Sequence, residues 1–177
     1  NDKVVVIIPT YNEALVIEKT VKEVFNAVPP SVDLHVLIFD SCSSDDTQSI
    51  IKKLQPNYPK LHLQSEPQKT GLGSAYLQAM NFALEELEAD IVFEFDADLS
   101  HQPKYLLPII EQLHSCDVVV GSRYIKGGSI PKNWGWHRKA LSKLGNKVAC
   151  LGLTFQYKDF TSGFRATRHF VLSKALP

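Results

Sequence analysis

The sequence predicts an α/β fold with a mainly parallel central sheet flanked by helices. Three observations predict it. Short β-branched or apolar runs, KVVVIIP, LHVLIFD, ADIVFEFD and CDVVVGSRY, recur along the 177 residues. Segments with helical spacing of apolar residues separate them, which implies βαβ crossovers. The apolar runs are short and continuous, as expected of strands buried on both faces.

Taken in order, KVVVIIP is a first strand closed by Pro9. NEALVIEKTVKEVFNAV follows as a helix, with Asn12 as the expected N-cap, Leu15, Val16, Val21, Val24, Phe25 and Val28 mostly on one apolar face, and Pro29-Pro30 as its stop. LHVLIFD is a second strand. SCSSDDTQSIIKKL turns into a helix capped by Ser44 or Asp45, and KLHLQSE is a short alternating strand. KTGLGSAYLQAMNFALEEL is a glycine-containing turn and a long helix, its glycines read as sites of tight helix packing. ADIVFEFD is a strand, and QPKYLLPIIEQLH a helix in which Pro108 marks a bend or a restart. CDVVVGSRY is a fifth strand and HRKALSKLGNKVACLGL a basic amphipathic helix. DFTSGFRATRHFVLSKAL gives a turn, a strand and a helix start.

Composition narrows the class. Apolar residues make up 44% and charged residues 21%, ordinary for one globular domain with a full core. Nineteen basic and nineteen acidic residues leave no net charge, so no nucleic-acid partner is expected and any attraction must be local. Cys42, Cys116 and Cys150 lack metal-ligand spacing and an even count, which favours free thiols in a reducing, cytoplasmic setting. No apolar run reaches the roughly 20 residues that span a bilayer. The N-terminus enters a strand without a signal-peptide pattern. Residues 1–177 are expected to form a single domain truncated at its C-terminus, where SKALP reads as a helix cut short, which leaves a C-terminal membrane anchor open.

In open parallel sheets, ligands bind beyond the carboxyl ends of the strands. PTYNE, DSCSSDD, DADLSH and GSRY all fall at such ends. The Asp96-Ala97-Asp98 pattern places two carboxylates together, with Ala97 too small to block a bulky ligand. On a strand, residues i and i+2 share a side. Such a pair suits Mg²⁺ or Mn²⁺, with water and diphosphate oxygens filling the other positions. The plainer alternative is an acidic turn capping the next helix. Ser100 and His101 are candidates to touch the metal or its waters.

Tyr11 could lie against a ribose or base and Glu13 could bind sugar hydroxyls, although an acid in a first helical turn is also favoured by the dipole. Asp40 could bind a ribose hydroxyl or a base N–H, or simply close an Asx-turn. KTGLGSA lacks both established phosphate-loop patterns, but Lys69 could reach the site. Arg123, Arg138 and Arg165 are candidates for forked bonds to phosphate. Trp134 and Trp136, among Lys132, Arg138, Lys139 and Lys143, suit a membrane headgroup layer or an amphipathic helix packed on the domain.

IIPTYNE, DADLSHQP, VVVGSRYIKGG, HRKALSKLGN and DFTSGFRA, in this order, resemble the dolichol-phosphate mannose synthases, polyprenyl-phosphate glycosyltransferases of family 2 with a Rossmann-like GT-A fold. The resemblance covers nearly the whole chain. It implies that Pro9, Tyr11, Glu13 and Asp40 line a nucleotide pocket, and that Asp96 and Asp98 hold a divalent metal and the donor diphosphate. It places Arg123, Arg138 and Ser142 where the acceptor phosphate meets the donor, and Arg165 in a C-terminal active-site segment. Two departures stand out: Asp40-Ser41 replaces an acidic pair, which bears on base recognition, and Ser100 replaces a Gln as the third metal contact. Relatives continue past this C-terminus, some with membrane helices.

The implied reaction is inverting transfer of a hexose, mannose from GDP-mannose, to a dolichyl or polyprenyl phosphate at the cytoplasmic membrane face. A lipid phosphate with a second pKa of about 6 is already ionised, so no strong base is needed. The alternatives are the same fold using a UDP-sugar such as UDP-glucose, and a non-catalytic nucleotide-sugar-binding module.

Overall fold

The computed structural model describes residues 2–125, 135, 137, 141, 142, 144, 145, 159 and 162–177. Among these residues, six strands form one sheet: β1 (Lys3–Thr10), β2 (Asp33–Asp40), β3 (Leu61–Ser65), β4 (Ile91–Glu94), β5 (Val118–Val120) and β6 (Arg165–Arg168), in the order β3-β2-β1-β4-β6-β5. The pairs β1·β2, β2·β3 and β1·β4 are parallel. Only β6 runs against its neighbours β4 and β5. The mainly parallel sheet expected from the sequence is therefore present, with β5 shortened to three residues.

Helices α1 (Ile17–Asn26), α2 (Thr47–Leu54), α3 (Leu72–Glu85), α4 (Leu106–Gln112) and α5 (His169–Ala175) flank the sheet. Alternate residues of β1 sort into two cores. Val4, Val6 and Ile8 pack with Val21 and Val24 of α1, Ile51 of α2 and Leu106 of α4. Val5 and Ile7 pack with Ala75, Ala79 and Ala83 of α3 and Leu172 of α5. Two buried faces explain why the strand runs lack alternating polar residues. A 3-10 turn over Pro103–Tyr105 precedes α4, and Pro108 falls in the first turn of α4, where no N–H partner is needed, as the restart expected from the sequence requires.

Four local expectations need correction. α1 starts at Ile17, and Asn12 is not its cap: it sits in the left-handed region (φ 58°), and its side chain accepts from the Ser44 amide. Leu15 precedes the helix, outside its apolar face, and is fully exposed. Asp46 occupies the N-cap position of α2, while Asp45 accepts from the Thr47 amide and hydroxyl. The glycines before α3 do not serve tight packing: a Cβ on Gly71 or Gly73 would meet nothing within 4 Å. Gly71 is required instead by its backbone (φ 102°). The basic helix around Arg138 and the two tryptophans lies mostly outside the described residues, as does Cys150.

Candidate active site

The loops after β1, β2 and β4 meet at the carboxyl edge of the sheet, and hydrogen bonds tie the first two together. Asn12, Glu13 and Ala14 donate their amides to Ser43 Oγ (2.8 Å), Thr47 Oγ1 (2.9 Å) and Asp45 Oδ2 (3.1 Å). Beneath this seam the Asp40 carboxylate is fully buried. It accepts from Thr10 Oγ1, the Ser43 amide, Ser43 Oγ and Gln48 Nε2, at 2.5–2.9 Å. These bonds spend its acceptor positions inside the protein, so the geometry matches the loop-bracing reading of Asp40. Ser41 is also buried and bonds Glu66, whose carboxyl Thr70 and Ser41 hold below the usual range. Pro9 lies within β1 opposite Phe39.

Above the seam Tyr11 is exposed, and Lys69 reaches it: Nζ stands 3.2 Å from the ring centroid. Glu66 fixes the loop that carries Lys69 by accepting from the Thr70 amide and hydroxyl.

The Asp96-Ala97-Asp98 segment is a turn beyond β4, which ends at Glu94. The two aspartates therefore do not share a side through strand pleating, as the sequence suggested. The turn shapes them: Leu99 is left-handed (φ 60°), and Asp98 Oδ1 accepts from the Ser100 amide at 2.9 Å. Ala97 is buried, and its carbonyl accepts from Thr20 Oγ1 of α1 at 2.6 Å. Asp98 is exposed and Asp96 half-exposed. Among the described residues, neither has a Lys or Arg partner within ion-pair distance. Burial, then the charges of Asp98 and Asp45, push the Glu13 carboxyl up, which places β1 and β4 acids in one field. Burial and the nearby charges of Asp96 and Glu94 likewise push the Tyr76 hydroxyl far up.

His101 stands behind the turn. Burial lowers its pKa against the pull of Asp96 and Asp98. Its ring stacks on Phe164 (4.9 Å, 16°) and meets Phe95 edge-on (5.6 Å).

The expected phosphate-binding arginines are held by acids. Arg123 grips Asp159 with a fork, Nε–Oδ2 and Nη2–Oδ1 both 2.8 Å, and its amide also donates to Oδ2. Asp159 holds Arg123 firmly protonated. Arg165 pairs through Nε (2.7 Å) and Nη2 (2.5 Å) with Glu94 Oε1. Tyr124 and Ser142 share a 2.8 Å hydroxyl–hydroxyl bond. Arg138 lies outside the described residues. The sequence reading singled out neither Asp159, Tyr124 nor Thr20. Asp159 was visible only as an acid inside the DFTSGF run.

No three His, Cys, Asp or Glu side chains among the described residues form a complete metal cluster. A site completed by water and substrate phosphate needs fewer protein ligands, and two accessible carboxylates with no Lys or Arg partner among the described residues fit that donor set.

A doubly flanked sheet with polar loops and an aspartate-x-aspartate turn on its carboxyl edge defines the GT-A class of glycosyltransferases. The chain belongs to glycosyl transferase family 2, whose model matches residues 5–176. It is 36% identical over 174 residues to a polyprenol monophosphomannose synthase of Mycolicibacterium smegmatis (97% of this chain, 64% of that protein). It is 36% identical over 166 residues to an undecaprenyl-phosphate mannosyltransferase of Micrococcus luteus (94% and 66%). It is 34% identical over 173 residues to a dolichol-phosphate mannosyltransferase of Pyrococcus furiosus (96% and 47%). The chain thus spans just under two thirds of the first two relatives and about half of the third. Among solved structures it resembles a mannosyltransferase from Pyrobaculum calidifontis in complex with GDP-Man and Mn²⁺ (TM-score 0.67, 24% identity, 99% of this chain and 47% of that one). A glucosyl-3-phosphoglycerate synthase from Mycobacterium tuberculosis with Mn²⁺ and UDP-glucose has a similar fold (TM-score 0.71, 19% identity, 98% and 59%).

Proposed function

We propose that this chain is a single GT-A catalytic domain that transfers a hexose, mannose from GDP-mannose, to a polyprenyl or dolichyl phosphate with inversion. The observation that carries the reading is the Asp96–Asp98 turn, two accessible carboxylates with no Lys or Arg partner among the described residues, at the edge where the loops after β1, β2 and β4 meet. The names of three relatives at 34–36% identity support the sugar and the lipid phosphate.

In this reading Tyr11 and Lys69 form one wall of the nucleotide pocket, with Glu13 beside them. Pro9, Asp40 and Ser41 support that wall from beneath. Asp96 and Asp98, with Ser100 adjacent, hold Mg²⁺ or Mn²⁺; when bound, the cation offsets the charge of the departing diphosphate. Arg123, Arg138 and Ser142 receive the acceptor phosphate, and Arg165 closes the far side of the site. An acceptor phosphate oxygen attacks the anomeric carbon from the face opposite the nucleotide. The new C–O bond forms as the bond to diphosphate breaks, and the electron pair leaves with GDP. The acceptor is already ionised, so alignment and charge balance carry the catalysis. The enzyme works at a membrane face from the cytoplasmic side, although no helix among the described residues is long and apolar enough to cross a membrane.

The test is a donor screen with Mn²⁺ and a polyprenyl phosphate. GDP-mannose should yield polyprenyl-phosphate mannose, and Asp98→Ala should lower the rate on the order of 10²–10³-fold. Turnover of UDP-glucose instead would move the reading to the UDP-sugar alternative. Nucleotide binding without turnover of any donor would leave a binding module.

A further inference from the structure

We infer that His101 is a positioning residue that sets which oxygen of Asp96 faces the cation, and that it is not itself a ligand. The inference rests on the reading of Asp96 and Asp98 as cation ligands.

The hydrogen bonds fix the ring. The Asp96 backbone amide donates to His101 Nδ1 at 3.0 Å. An amide N–H can only donate, so Nδ1 must carry a lone pair, and the neutral ring keeps its proton on Nε2. Nε2 lies 3.3 Å from Asp96 Oδ2. A nitrogen bearing a proton has no lone pair in the ring plane for a metal. His101 therefore holds Asp96 at two points, backbone and carboxylate, while its own metal-binding capacity is used up.

The second donor to the same oxygen is Ser100 Oγ, 3.2 Å from Asp96 Oδ2. Both donors converge on Oδ2, so Oδ1 is the oxygen left for a cation. The ring itself is held in place. Phe164 stacks on it and Phe95 meets it edge-on. Behind Phe164 lies Gly121, where a Cβ would come within 2.8 Å of the Phe164 ring. A Cβ on Gly163 would stand 3.6 Å from His101 Cε1. The clamp thus runs from the Asp96 turn through His101 and Phe164 to the residue after β5, joining the cation side of the site to the segment that carries Arg123. Groups that hydrogen-bond a ligating carboxylate orient it, and losing them typically weakens metal binding about 10–100-fold.

The test titrates the 177-residue chain with MnCl₂ in the presence of GDP, read by electron paramagnetic resonance. Metal-free melting temperatures are measured alongside. His101→Phe keeps the stack on Phe164 and removes both hydrogen bonds; its Mn²⁺ dissociation constant should rise about 10–100-fold. His101→Gln can still direct an amide N–H at Asp96 and should recover part of the loss. If the Phe variant does not fold, the Asn and Gln pair carries the comparison, Asn reaching the Asp96 amide but not its carboxylate. The pulsed spectrum of the wild type should lack the ¹⁴N modulation of a directly bound imidazole. Folded His101 variants with wild-type Mn²⁺ affinity, or a bound-imidazole signal, would overturn the inference while leaving the cation site standing. A wild-type chain that binds no Mn²⁺, with or without GDP, would overturn the cation reading itself and this inference with it.

Discussion

The two halves of the site are built from different interactions. On the β1–β2 side, one buried carboxylate, Asp40, is surrounded by neutral donors from Thr10, Ser43 and Gln48. On the β4–β6 side, charge meets charge: Arg123 on Asp159, Arg165 on Glu94. Neutral donors around a single anion give a pocket wall with one arrangement, shaped before any ligand arrives. Ion pairs give a wall whose cations can exchange partners, which suits the arrival and departure of phosphates in the proposed reaction. Asp96 and Asp98, without a Lys or Arg partner among the described residues, lie between them.

The sharpest way to break the comparison is to remove Asp159. Its side chain is fully buried, and that of Arg123 is 18% exposed. Asp159→Ala would take three hydrogen bonds from Arg123, whose guanidinium burial already disfavours, at a cost of about 3–5 kcal/mol. Chemical denaturation of the variant measures this directly. Glu94→Gln tests the second pair, in which Arg165 is 44% exposed, so water can take over and the loss should be clearly smaller. Equal losses would mean that the two pairs are not distinguished by burial.

Next in size is the neutral half. Asp40→Asn replaces one acceptor oxygen with an NH₂ that faces the donors of Ser43 or Gln48. Leaving one buried polar group without a partner costs about 1–3 kcal/mol. The same variant should weaken nucleotide binding, because the loops carrying Tyr11 and Glu13 are tied to this base through Ser43 and Thr47. A stable Asp40→Asn chain with unchanged GDP affinity would show that the wall does not depend on Asp40.

The comparison also explains what the sequence could disclose. Strands were legible because burial on both faces demands continuous apolar runs such as VVVII and VLIF. The carboxyl-edge clusters followed from sheet topology alone. Asp96 and Asp98 were legible as a pair of carboxylates from residue type, but their geometry was not: a left-handed Leu99 and the Thr20–Ala97 bond form the turn, and neither leaves a periodic trace. Arg123 was legible as a cation, but its partner lies 36 residues away and reads as an ordinary acid. Asn12 misled because Asn before a helical pattern usually caps it. Here its side chain ties β1 to the β2–α2 loop, a contact between segments that pattern reading treats separately.

The smallest predicted effect lies at the opposite edge of the sheet and serves as a baseline for both halves. His35 on β2 and His62 on β3 stack with ring nitrogens 3.0 Å apart. Burial pushes both below the ordinary histidine range. For His35, Asp33 opposes the shift while Lys60 and Lys3 reinforce it; for His62, the charge of His35 adds to burial. Histidines with lowered folded pKa values bind protons more readily in the unfolded chain. Stability is therefore retained above the ordinary histidine pKa of about 6.5 and falls as pH drops below it. Each pKa unit corresponds to about 1.4 kcal/mol at most. His101 shifts in the same direction, so the diagnostic quantity is a difference between proteins. His62→Gln should flatten the decline of melting temperature between pH 7 and pH 5 relative to wild type. An equally steep decline in that variant would assign the acid sensitivity to the site edge rather than to this pair.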